Sequence, residues 1–184
     1  MSETTNGAEP PDYGFIALQW WRTLTGHHPN KKETGGDRAA RASLRRASPA
    51  DAMCEDATLR LFRALGLSQG KLARVATLAG ILATIREDER QPFGRRIGRE
   101  KIDDEQSAPL SLLRFKRLLD AETEDEIAIA FRRAIAIAGG TVNVRDAAKI
   151  LLDFDNETTR RRLVLDYYGA GERDSDSQTQ PAAS

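Results

Sequence analysis

From Leu72 onward, Val75, Leu78, Ala79, Leu82 and Ile85 recur three or four residues apart, the spacing that gathers apolar side chains on one side of an α-helix. The same period returns in Phe15, Leu18, Trp21 and Leu24, in Leu61, Phe62 and Leu65, in Ile127, Phe131, Ile135 and Ala138, and in Val144, Ala147, Ile150, Leu151 and Phe154. No stretch alternates apolar and polar residues for a useful length, and no internal repeat is present. With six per cent aromatic residues and seven prolines in 184, the composition agrees with this pattern. The expected fold class is all-α.

Start and stop signals divide the pattern into elements. Asp12 caps a first helix that closes at Gly26, and Asp37 caps a short arginine helix that stops before Ser48-Pro49. Ser48, Pro49 and Asp51 open the next, which Gly66 closes, and Ser68 to about Arg86 reads as another. Thr123 and Glu126 form a capping box for a helix ended by Gly139-Gly140; Asn143 opens the next, and a last helix runs to Tyr168. Between Glu87 and Pro109 the residues are mostly charged, without a sustained period. The expected organisation is two small helical bundles, 12–86 and 110–171, joined by a long charged loop, 87–109, with disordered tails at 1–11 and 172–184. No apolar run approaches the ~20 residues of a membrane span, and the first residues lack a signal-peptide pattern, so a cytoplasmic protein without a membrane partner is expected.

Catalytic and metal chemistry finds little to work with. Cys54 is the single cysteine, so an internal disulfide framework and a multi-cysteine zinc site are excluded. It is expected on a helix beside Glu55 and Asp56, acids that raise a thiol pKa rather than lower it. His27 and His28 are adjacent and lack the further ligands that zinc needs; they read as a polar turn. Gly66–Lys71 has one residue too few between its glycines for a phosphate-binding loop, and Leu72 stands where Ser or Thr would bind magnesium. Asp153, Asp155 and Glu157 alternate like a calcium loop, but Thr158 replaces the sixth-position glycine, so they read as one helix end and the next helix start. No cofactor, metal or enzymatic activity is expected.

Arginine placement carries the remaining signal. Acidic and basic residues balance at 28 each, yet 22 of the bases are arginine, whose planar fork suits phosphate. They are clustered: Arg38, Arg41, Arg45 and Arg46 in RAARASLRR; Arg95, Arg96, Arg99 and Lys101; Arg114, Lys116 and Arg117; Arg132 and Arg133; and Arg160-Arg161-Arg162. On a helix, Arg38, Arg41 and Arg45 fall within about 60° of one another. A single stripe reads equally as a solvated face, but several acid-poor clusters in a neutral chain favour a phosphate track. At least one of Arg132 and Arg133 is expected to be semi-buried or at an interface, and at least one of Arg160–Arg162 to pair with Asp153, Asp155 or Glu157. Trp21 reads as core.

The chain resembles the CasB family, the small subunit of the type I-E CRISPR Cascade complex. The resemblance rests on Trp20-Trp21, GDRAARASLRRA from Gly36, GRRIGRE from Gly94, LSLLRFKRLLDAE from Leu110, FRRAIAIAGG, VNVRDAAKILLDF and DYYGAG from Asp166. It implies two small helical bundles without catalytic residues. It also implies a second copy in the complex, other Cascade subunits as partners, and contacts to guide RNA, target DNA and the displaced strand. By motif position it carries nucleic-acid contacts onto Arg45, Arg46, Arg114, Arg132, Arg133 and Arg160. The alternative reading is a helical protein–protein adaptor whose arginines meet acidic partner surfaces.

Overall fold

Capping side chains set the helix boundaries in the computed structural model, which describes residues 11–27, 35–101 and 103–170. Asp12 accepts the Phe15 N–H at 3.1 Å and opens α1 (Tyr13–Thr25). Asp37 does the same for Ala40 at 3.0 Å and opens α2 (Arg38–Arg46). The reciprocal Thr123–Glu126 capping box opens α8 (Glu124–Ile137), and Asn143 opens α9 (Val144–Leu152). Between these lie α3 (Pro49–Ala52), α4 (Asp56–Leu65), α5 (Leu72–Leu82), α6 (Phe93–Ile97) and α7 (Leu112–Leu119), and α10 (Glu157–Tyr167) comes last. Among the described residues the fold is all-α but for two very short strands, β1 (Glu87–Asp88) and β2 (Thr141–Val142), paired in parallel with Glu87 opposite Thr141. The expected tails lie almost wholly outside the described residues, as does His28.

Helix α5 is the centre. Every residue from Arg74 to Leu82 is buried, not only the side that the apolar spacing picked out, because other helices pack around it. It packs against α2, α3 and α4 from its own half of the chain and against α8 and α9 from the other. Helix α1 lies along α9, where a Cβ at Gly14 would come within 2.7 Å of the Arg145 carbonyl. Trp21 is buried with Leu18 and Leu24 on α1, as its spacing implied. Buried side chains from Ala17 to Tyr167 form one contiguous cluster.

Two elements differ from the sequence reading. The helix expected from Ser48 to Gly66 is broken at Met53–Cys54, and Cys54 sits exposed in the resulting turn. Both Ala52 and Ala57 are buried; five residues apart on one straight helix, they would point about 140° from each other. The break puts both on the core. The second is the 87–109 segment, which contains β1, α6 and a 3-10 turn at Glu105–Ser107. Phe93 and Ile97, one turn apart, are fully buried, and α6 packs against α10. That approach depends on glycine: a Cβ at Gly94 would lie 2.5 Å from the Asp166 Cβ, and one at Gly98 would lie 2.3 Å from the Tyr167 carbonyl oxygen.

Candidate nucleic-acid interface

The arginines singled out from sequence separate into two sets by what their guanidinium groups touch. The first set is bound to backbone carbonyls at or just past helix C-termini. Arg41 donates to Ala83 O at 3.1 Å and to Ile85 O at 2.8 Å, beyond the end of α5. Arg132 donates to Leu44 O at 3.2 Å and Ala47 O at 2.9 Å, closing α2. Arg96 reaches Ala138 O at 3.0 Å and Thr141 O at 3.2 Å and pairs with Glu89 at 3.1 Å. Arg160 donates to Phe154 O at 2.8 Å and lies over that residue's ring. Terminal carbonyls lack intrahelical partners and carry the negative end of the helix dipole, so a forked cation satisfies them well. Burial lowers the pKa of both Arg41 and Arg132 below the ordinary arginine value.

The second set faces solvent. Arg38, Arg45 and Arg46 on α2, Arg114, Lys116 and Arg117 on α7, Arg133 on α8, and Lys101 are exposed, and none has a carboxylate partner among the described residues. Local folding explains why. Leu44 is the one buried residue of α2, so most of that helix's circumference stays in water. On α7, Phe115 and Leu118 take the core, leaving the three cations and Leu113 outside. Because Arg132 grips the carbonyls that bracket Arg45 and Arg46, α8 adjoins the end of α2; α7 in turn packs on α8. The α2, α8 and α7 cations therefore sit on three successive neighbours. Arg95 and Arg99 are half-buried: Arg99 lies 4.8 Å over the Tyr168 ring, and the field of Arg95 acts on buried Asp166.

The arginine triplet at the start of α10 is divided as its three directions require. Arg161 pairs with Glu157, the ion pair expected from sequence, and Arg162 bonds to Asp146. Asp153 caps the end of α9, while Asp155 accepts from Arg74. Trp20 is half-buried and donates to Ala57 O at 2.9 Å. Among the described residues, no group of three or more His, Cys, Asp or Glu side chains gathers as a metal site.

Among the basic residues that sequence reasoning passed over, two stand out. Arg74 is buried and joins three elements: it bonds to Glu124 at 2.8 Å, to Leu151 O at 3.0 Å and to Asp155 at 3.1 Å. Its signal was an arginine standing inside the apolar run of α5. Arg86, just beyond that run, is exposed without a carboxylate partner among the described residues.

These features define an all-α protein that clamps its helix ends with arginine and keeps further cations free on adjoining helices. The family model for CRISPR-associated protein Cse2 matches residues 40–168, most of the chain, and the chain belongs to that family, also called CasB. The segment matched contains every exposed cation named above except Arg38. Among solved structures, a chain in the crystal structure of E. coli Cascade bound to a PAM-containing dsDNA target with a 32-nt spacer, at 3.20 Å resolution, shares the fold with a TM-score of 0.57. It is 18% identical, and the likeness covers 84% of this chain and 95% of that one. No curated protein matches the chain.

Proposed function

We propose that this chain is a non-catalytic small subunit of a type I-E CRISPR RNA-guided Cascade complex, where it binds nucleic-acid backbone and stabilises the R-loop. Guide RNA, target strand and displaced strand are its nucleic-acid partners, and it works beside other Cascade subunits and a second copy of itself. The observation that carries this reading is the set of exposed, unpaired cations on α2, α7 and α8: Arg45, Arg46, Arg114, Lys116, Arg117 and Arg133. Arg38 and Lys101 extend that set; half-buried Arg95 and Arg99 border it as further proposed contacts, while Arg41, Arg96, Arg132 and Arg160 hold the helices that present it. Guide–target pairing nearly balances the DNA pairing it replaces, so modest backbone contacts tip the exchange. Three to five neutralised phosphates give a slope of log affinity against log salt of about −2 to −4 on single strands.

The test is an add-back experiment. A complex lacking this subunit receives wild type, Arg46→Glu or Arg133→Glu, and retention of an opened target duplex is followed at two salt concentrations. Rescue by wild type and weakened, sequence-independent retention with either variant, at unchanged assembly, is the expected outcome. Equal rescue by all three removes the cations from function. Leu113 and Ile129, about 60% exposed beside these cations, favour a second reading as a protein–protein adaptor. In that case the charge reversals abolish assembly instead.

A further inference from the structure

The chain leaves the described fold beside a cationic helix. Gly169, with φ at 67°, closes α10: its N–H donates to Asp166 O at 3.1 Å and the Ala170 N–H to Leu165 O at 2.8 Å. Gly169 lies on the backbone of Arg99 and Glu100, where an added Cβ would stand 3.4 and 3.5 Å from their carbonyl oxygens. Ala170 is exposed. Three residues before it, Tyr167 stacks on Phe115 of α7 at 3.8 Å and donates to Leu110 O at 2.7 Å. The exit is thus tied to the first half of α7.

Beyond Ala170 the sequence runs Gly171-Glu172-Arg173-Asp174-Ser175-Asp176, three acids against one base, outside the described residues. The Cse2 family model ends at residue 168, so this run is not part of what the family shares. Extended chain covers at most about 3.6 Å per residue, which gives Asp174 a reach of about 14 Å from Ala170 and Asp176 about 21 Å. Tyr167, in contact with α7, is within about 11 Å of Ala170 by the same measure. At about 100° per residue, Arg114 flanks Phe115, and Arg117 follows one turn on, about 60° further round. Both are exposed and have no carboxylate partner among the described residues; Asp120, just past the other end of α7, pairs with neither. The exposed carboxylates of Glu100, Asp103 and Asp104, around Lys101, repel an acidic segment leaving at Gly169.

We propose that the acidic run Glu172–Asp176 docks on Arg114 and Arg117 of its own chain and competes there with nucleic acid; the competition rests on the nucleic-acid reading above, and the docking does not. The α7 face is then an internally occupied site that phosphate must displace. Exposed ion pairs contribute about 1.5- to 5-fold each, and tethering supplies the acids at a high local concentration. Two such pairs make the face selective: a strand that also engages α2 and α8 displaces the run, and one that touches α7 alone does not.

Two readouts on the full chain test this. Docking is read with a nitroxide on Ser175→Cys in a Cys54→Ser background, since Cys54 is exposed. The expected result is broadening of the Arg114–Arg117 amide signals at about 50 mM salt that weakens at about 200 mM and is absent from the Arg114→Ala/Arg117→Ala chain. Competition is read as target retention in the reconstituted complex with Glu172→Gln/Asp174→Asn/Asp176→Asn. That variant should retain target about 2- to 25-fold better than wild type at the lower salt. The gain should disappear when Arg114→Ala/Arg117→Ala is combined with it.

Absence of broadening overturns the docking whatever retention shows. Equal retention by wild type and the neutralised run, with Arg114→Ala/Arg117→Ala weakened, overturns the competition and leaves the nucleic-acid reading standing. A gain that survives undiminished without Arg114 and Arg117 places the action of the run elsewhere and overturns the proposal. A wild-type subunit that adds no retention overturns the nucleic-acid reading and the competition together, and the nitroxide result alone then decides the docking.

Discussion

At the scale of single residues, arginine serves this fold as a helix terminator. Arg41, Arg74, Arg96 and Arg132 each donate to a carbonyl in or just past the last turn of a helix from another part of the chain. Lysine, a point charge on a flexible stem, cannot bridge two carbonyls with a fixed fork. Asp12 does the opposite task at a helix start. It accepts the Phe15 N–H and bonds to Lys149 and Arg145, and its pKa is lowered from 3.8 to about 2, first by that backbone bond and then by the two cations. A lowered carboxylate pKa contributes stability that is present above about pH 4 and is lost as the pH falls toward 2. Asp12→Asn keeps an acceptor for the cap but not the charge. Denaturant unfolding should therefore show the variant less stable than wild type at pH 7, with the gap closing as the pH falls from about 4 to about 2. Asp166, buried and raised in pKa chiefly by that burial, has the reverse sign, favouring the fold at low pH and losing that contribution as the pH rises. Comparing wild type with Asp12→Asn cancels it.

Among elements, α6 shows how a short helix is hidden from sequence. Its five residues offer Phe93 and Ile97 as a single apolar stripe beside one glycine and two arginines, too few for a period to register. Its place is set by contact. The backbone of Gly98 lies against Tyr167, and the Arg99 N–H donates to the Tyr167 carbonyl at 2.7 Å. Gly98→Ala would put a methyl 2.3 Å from that oxygen, so α10 and α6 must separate. The expected loss is about 1–3 kcal/mol, the usual cost of overpacking, measured as a lower midpoint in urea. Gly70→Ala is the control: no atom lies within 4 Å of its Cβ position, and stability should change little.

For the whole molecule, aromatic contacts tie distant segments together. Phe131 on α8 stacks on Phe93 of α6 at 5.4 Å and meets Phe154, just past α9, edge-on at 5.3 Å. Phe115 of α7 stacks on Tyr167 of α10 at 3.8 Å, and the Tyr167 hydroxyl donates to Leu110 O at 2.7 Å. Phe131→Ala would open a cavity where three elements meet and should cost about 3–5 kcal/mol. Trp21 lies in the same buried cluster although it is far away in sequence. The fluorescence transition of Trp21 and its neighbour Trp20, which packs on the same cluster, should shift with the far-UV circular dichroism transition in this variant.

The helices were legible because their causes are local. Asp12, Asp37, Thr123 with Glu126, and Asn143 each bond to an N–H within a few residues, and the apolar period repeats within a turn. Pairing of Arg161 with Glu157 was legible for the same reason, being one turn apart. The break between α3 and α4, the seating of α6 and the sorting of the arginines were not. Arg41 finds its carbonyls 42 and 44 residues away, and Arg132 finds its own 88 and 85 residues away. In sequence, Arg132 and Arg133 are identical neighbours. Local pattern was enough to establish that this chain is helical, where most helices begin, and that its cations come in clusters. Which guanidinium groups meet an orphan carbonyl and which stay in water was settled only on folding, because that choice depends on chain ends brought together by a core that no local pattern describes.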